Sequence, residues 1–165
     1  MARAQCIVCR GLYVLMVKHS DGRDEWWCLP GGGIEEGETP AEAAIRELEE
    51  ECCVIGTVIR ETSTITYGPS DKHYTYLVDI GEQEPALGSD PELTSGKQIL
   101  ADARWLALDE IPERDRCFVW AEGLITVDRF MAHVETWGNE VSYPVAKTQS
   151  HVSQNRPNKP CKASM

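Results

Sequence analysis

Apolar and polar positions alternate in two rhythms along this chain. Residues 7–8 and 12–17 are short apolar runs that read as two strands joined near Gly11. A polar stretch with an Asp21-Gly22 step follows, then Trp26-Trp27-Cys28-Leu29, a short strand stopped by Pro30. Gly31-Gly32-Gly33 reads as a loop. From Thr39 the period changes. Thr39 suits an N-cap, Pro40 the first helical position, and Glu42 stands where a capping box needs it. Ala41, Ala44, Ile45, Leu48 and Cys52 recur at helical spacing.

The β rhythm then returns over residues 54–67 and 73–80, on either side of the turn Gly68-Pro69-Ser70-Asp71. Tyr74, Tyr76, Val78 and Ile80 alternate, so they share one face. Residues 81–98 are polar and acidic and contain Pro85, Gly88, Pro91 and Gly96. The stretch is longer than a plain connection needs and reads as a functional loop. Residues 104–108 form a last strand. One helix is expected over residues 116–137, burying Phe118, Ala121, Leu124, Ile125, Val127, Phe130, Met131, Val134 and Trp137. The pattern predicts one globular domain over residues 1–140. The polar, proline-bearing tail 141–165 has no apolar period and is expected to be disordered.

Charge narrows the partners. The net charge is -11, and every acid lies within the first 140 residues, where 12 bases face 27 acids. Such a body repels duplex nucleic acid. It repels a polyphosphate equally, unless metal ions reverse the sign locally. No apolar run is long enough for a bilayer or a signal peptide, so a cytoplasmic location is the expectation. The seven cysteines do not form a secreted disulfide pattern. Cys6 and Cys9 lie on one strand at a spacing that sends them to opposite faces, which argues against a shared metal.

The chemistry concentrates in one helix. Glu47, Glu50 and Glu51 fall at i, i+3 and i+4, on one face. Packed carboxylates repel one another, and a divalent cation removes that cost. Magnesium takes hard oxygen ligands and bridges to phosphates, so this face suits Mg²⁺, with Mn²⁺ as a substitute. Taken alone, Glu-x-x-Glu-Glu is more often a solvated surface. Arg46, Glu38 and Gly32 stand at fixed distances before it, and Leu48 and Val54 are apolar where the helix faces inward. Two other glycine-loop readings fail. Glu38 stands where a P-loop needs lysine, and Glu36 where a dinucleotide fingerprint needs its third glycine.

Gly32, Glu38, Arg46, Glu47, Leu48, Glu50, Glu51 and Val54 together resemble the Nudix box. The single departure is Cys53, where the family has a glycine suited to a left-handed helix end. The sequences around Trp27–Gly33 and Trp105–Pro112 are also similar to the family's. The resemblance implies a Nudix-type α/β/α sandwich around a mixed sheet. It implies metal ligation by Glu50, Glu51, Glu47 and the Gly32 carbonyl, with Glu47 alternatively a base. Arg46 would fix the carboxylates and Glu38 would tie the loop to the helix. A further catalytic acid would come from Glu82, Glu84, Asp90, Glu92 or Asp102, with Glu92 favoured. Trp26, Trp27, Tyr74 and Tyr76 suit base stacking or, more readily, core packing. The implied reaction is Mg²⁺-dependent cleavage of a small nucleotide, first a nucleoside triphosphate to monophosphate and pyrophosphate. An ADP-ribose or nucleoside diphosphate-sugar pyrophosphatase, and a silent nucleotide-sensing module, are the alternatives. Substrate-contacting residues lie outside the box and are not identified by it, and a homodimer is compatible. Pro69, fifteen residues past Val54, fits a family habit linked to ADP-ribose, but a hairpin turn explains it with no substrate at all and is the preferred reading.

Overall fold

The computed structural model describes residues 2–89 and 99–136. Asp90, Glu92, Trp137 and the tail 141–165 lie outside them. Seven strands form one mixed sheet: β1 (Ala2–Arg10), β2 (Tyr13–Ser20), β3 (Glu25–Cys28), β4 (Gly31–Gly33), β5 (Thr57–Gly68), β6 (Asp71–Asp79) and β7 (Ile99–Ala107). The order is β3-β2-β1-β6-β5, with β4 paired to β1 and β7 to β2. β1 and β6 run parallel and every other pair is antiparallel.

The sheet is covered on both faces, and alternation along its central strands decides which residues go where. Ala4, Cys6 and Val8 of β1, with Leu15 and Val17 of β2, pack under α1 (Pro40–Cys52). Ile7, Val14 and Met16 point the other way. They meet α2 (Glu113–Ala121), a 3-10 turn at Leu124–Thr126, and α3 (Asp128–Glu135). The result is an α/β/α sandwich. Cys6 lies in the α1-side core while Cys9 packs against the opposite one, as the strand spacing requires. Tyr76, Val78 and Ile80 share the α1 face, with Tyr74 packed against it. No described helix is long and apolar enough to cross a membrane.

Helix α1 starts as its sequence demands. The Thr39 hydroxyl accepts from Glu42 N–H, and the Glu42 carboxylate accepts from Thr39 N–H at 2.8 Å. It ends on Cys53, the one described non-glycine residue with positive φ (56°), whose N–H returns to Glu49 O. A left-handed L-residue costs on the order of 1 kcal/mol. Cys53→Gly is therefore expected to stabilise the protein by about 0.5–1 kcal/mol. A chemical denaturation midpoint at or below wild type would contradict this.

Three expectations need correction. Gly31–Gly33 is not a loop but a short strand on β1. The last strand begins at Ile99, well before residue 104. The single terminal helix does not exist: the chain breaks at Gly123 (φ 106°) into α2, the 3-10 turn and α3. The cause is tertiary. The Thr62 and Ser63 hydroxyls of β5 donate to Glu122 O, and a Cβ at Gly123 would sit 2.7 Å from Thr62 Cβ. With the break, Phe118, Ala121, Ile125 and Met131 face outward instead of forming the buried stripe, while Leu124, Val127 and Phe130 stay inside. Pro69 lies in the tight turn between β5 and β6, where Gly68 pairs with Asp71.

Candidate active site

Arg46 organises the acidic face of α1. Its Nε and Nη2 donate to the two oxygens of Glu38 at 3.0 and 3.1 Å. Nη1 donates to Glu47 Oε1 at 2.9 Å and Glu50 Oε2 at 3.2 Å, and Nη2 also reaches Gly33 O at 2.8 Å. One guanidinium thus joins the glycine strand, the loop residue Glu38 and two carboxylates of the helix. Planar, forked donors make this arrangement specific to arginine. The hydrogen bond from Arg46 holds the Glu38 carboxyl below its usual range.

Glu51 faces a different partner set. It is almost fully buried, its Oε2 accepts from Gly31 N–H at 2.9 Å, and its Oε1 lies 3.5 Å from His19 Nε2. Glu47 is buried too. Burial pushes its carboxyl up to about 7; Arg46 opposes the shift, and Glu51 and Glu50 add repulsion. Gly32 lies directly against this carboxylate: a Cβ there would overlap Glu47 Oε1 and stand 2.5 Å from its Cδ. Burial also pushes the nearby Cys6, Cys28 and Cys52 thiols upward, so they add no charge to the cluster.

The donor set fits a hard divalent cation. Three carboxylates of one helix stand beside the glycine strand, and burial with neighbouring charge pushes one of them up, a cost that a cation would relieve. Among the described residues no three acidic, histidine or cysteine side chains are already converged for ligation. Glu47 and Glu50 are turned towards Arg46, and Glu51 towards Gly31 and His19.

On the α2 side of the sheet lies a cleft of about 480 Å³, linked to the carboxylate helix through His19. Trp26 and the 56% exposed Phe118 provide aromatic surface, and Arg3, Tyr67, His73 and Glu122 line its polar part. His19 joins cleft and helix, stacking on Trp26 with ring centroids 5.9 Å apart while standing against Glu51. Arg3 donates to Gly31 O at 3.1 Å from the same cleft. Glu122 is buried on its wall and accepts from Tyr67 Oη at 2.7 Å and Thr75 Oγ1 at 2.8 Å.

The spacing pattern places Gly32, Glu38, Arg46, Glu47, Glu50 and Glu51 together, and the structure brings all six into one cluster. The loop acids divide. Glu84 is paired with Arg10, Asp102 with Arg104, and Glu82 is exposed. Asp90 and Glu92 lie outside the described residues. Trp27 is core, and Tyr74 and Tyr76 pack on the α1 face. Arg3, His19, Phe118 and Glu122 join the site only in the fold. Each comes from a different element, so no local spacing marks them.

The NUDIX domain family profile matches residues 1–123. The chain is 45% identical over 64 residues to an RNA pyrophosphohydrolase of Rhizobium meliloti, covering 37% of this chain and 35% of that protein. It is 33% identical over 106 residues to a CMP-5'-(N-acetyl-N-hydroxy-3-aminopropyl)phosphonate hydrolase of Streptomyces rubellomurinus, covering 61% and 47%. The matched stretches span less than half the length of these curated relatives. A NUDIX hydrolase of Nitrosomonas europaea shares the fold with a TM-score of 0.61 at 17% identity, over 80% of this chain and 88% of that one. An Ap4A hydrolase of C. elegans shares it at 0.57 and 18%, over 81% and 98%. Domain profile, sandwich and box residues agree: the chain belongs to the Nudix hydrolase family.

Proposed function

We propose that this protein is a magnesium-dependent phosphoanhydride hydrolase that converts a nucleoside triphosphate to its monophosphate and pyrophosphate. The observation that carries the reading is the junction at His19, which touches both Glu51 of the carboxylate face and Trp26 of the cleft. A phosphate chain held at the carboxylates then has its nucleoside end in an aromatic-walled cleft of the right size. Glu50, Glu51, Glu47 and the Gly32 carbonyl would hold the metal. Bound magnesium supplies Lewis-acid polarisation of the phosphate and acidifies coordinated water. Where Glu47 is not a ligand it would act as the base, through Oε2, the oxygen that Arg46 does not bind. Arg46 and Glu38 keep the glycine strand and helix in register. Glu92 is the proposed further acid from the loop.

The strongly acidic body favours a small nucleotide over a long RNA. Pro69 lies in a two-residue turn, which accounts for the proline without a substrate. The test is competition among nucleoside triphosphates, oxidised ones included, ADP-ribose and a 5'-triphosphorylated RNA with excess magnesium. Nucleoside triphosphates are expected to show the highest kcat/KM, and a clear preference for either rival would overturn the substrate reading. Trp26→Ala should raise KM about 10-fold with little change in kcat, since aromatic stacking contributes to binding before chemistry. An unchanged KM would remove Trp26 from the substrate site.

A further inference from the structure

The last turn of α1 is closed by a segment more than thirty residues further along the chain. A helix leaves its final carbonyls without internal partners. Here Cys53 N–H serves Glu49 O, and the next three carbonyls are met from the loop after β6. Ser89 N–H donates to Glu50 O, Gly88 N–H to Glu51 O and Ala86 N–H to Cys52 O, each at 2.9 Å. The segment is itself fixed. Leu87 packs on the α1-side core. The Gln83 amide clasps Ile55, accepting from its N–H at 3.1 Å and donating to its carbonyl at 2.7 Å. Arg10 holds Glu84 and the Gln83 carbonyl.

Gly88 is fitted to the helix end by contact. A Cβ there would overlap Glu50 O and lie 2.8 Å from the Glu50 carbonyl carbon and 3.0 Å from that of Glu51. Those atoms are backbone, so no rotamer change relieves the overlap. The two residues concerned carry the carboxylates of the acidic face. Moving their backbone moves the ligands.

We infer that residues 86–89 form a strap that sets the position of the metal-binding turn, with Gly88 as its positioning residue. The inference rests on the reading of Glu50 and Glu51 as metal ligands. The strap acts through the backbone carbonyls of Glu50, Glu51 and Cys52. Groups that orient metal ligands typically change affinity or activity by about 10- to 100-fold when altered.

The test is titration of Mn²⁺ into nucleotide-free full-length protein, followed by calorimetry or by the electron paramagnetic resonance of free Mn²⁺. Gly88→Ala is expected to weaken Mn²⁺ binding about 10-fold or more, and to lower kcat at subsaturating magnesium with nucleotide KM unchanged. Cys53→Gly changes the same helix end and leaves the three strap bonds in place. It should leave Mn²⁺ affinity within about twofold, whatever it does to the melting temperature. If Gly88→Ala does not fold, Ser89→Pro removes the donor to Glu50 O with no atom added at position 88, and weaker Mn²⁺ binding is again expected. Wild-type protein that binds no Mn²⁺ overturns the metal site, and the strap with it. Wild-type binding with unchanged affinity in the folded strap variant overturns the strap alone, as does an equal loss in Cys53→Gly.

Discussion

Glu50→Gln and Glu51→Gln are each expected to lower magnesium-dependent turnover by roughly 100-fold or more while leaving the domain folded. Both replacements keep the shape of the side chain and remove its charge. Glu51 is held by Gly31 N–H, and a glutamine carbonyl oxygen accepts that bond equally well, so the glycine strand stays in place. Glu50 is partly exposed and contributes one of the four acceptor groups around Arg46, the others being Glu38, Glu47 and Gly33 O. Its loss leaves the arginine anchored. What disappears in each variant is a hard anionic oxygen on the metal face. Paired measurements of melting temperature and turnover check this. Near wild-type turnover in either variant would remove that residue from the ligand set.

In metal-free protein, Glu47→Gln is expected to raise the melting temperature at pH 8 by roughly 3–6 °C, and to have no comparable effect at pH 4. The folded state pushes the Glu47 carboxyl from its ordinary 4.5 to about 7, chiefly through burial. Between those values the folded protein keeps a proton that the unfolded chain has released. Its contribution to stability is therefore full below about 4.5 and is lost as pH rises through about 7. Above that, the buried carboxylate is a standing cost, which glutamine avoids. Saturating magnesium should flatten the wild-type loss at high pH, because a bound cation favours the ionised form. Thermal melts in chelator at the two pH values give the answer. A variant no more stable than wild type at pH 8 would show that Glu47 does not carry this cost.

The acidic face was readable because the residues that compose it, Gly32 to Val54, lie within about two dozen consecutive positions. The Thr39–Glu42 capping box sets where α1 starts, and helical geometry then places Glu47, Glu50 and Glu51 on one side. Cys53 was marked by the resemblance alone, as the one departure from the box, and its φ of 56° shows the left-handed helix end that the family glycine would suit. The alternation along β6 sorted its residues to the correct face without any knowledge of the partner strand.

The parts that stayed hidden depend on long-range pairing. Gly123 stands inside a run of good helical periodicity, and only the approach of Thr62 and Ser63 shows that the helix must stop there. That break leaves Phe118 on the cleft instead of in the core. His19 is a single histidine at the end of a strand; its place beside Glu51 follows from the packing of β2 under α1. The strap is hidden more deeply, because its three bonds to α1 are made by backbone N–H groups, which carry no residue identity. Gly88 left the one sequence trace, as a glycine in a loop too long for its span.

The central claim is that the carboxylate face of α1 cleaves a phosphoanhydride with the help of a divalent cation. Phosphorus NMR of a nucleoside triphosphate incubated with the full chain, with and without magnesium, tests it most directly. Resonances of a nucleoside monophosphate and pyrophosphate should grow only when protein and magnesium are both present. If the folded wild-type chain leaves the spectrum unchanged with magnesium, for every triphosphate and diphosphate-linked nucleotide offered, the claim is wrong.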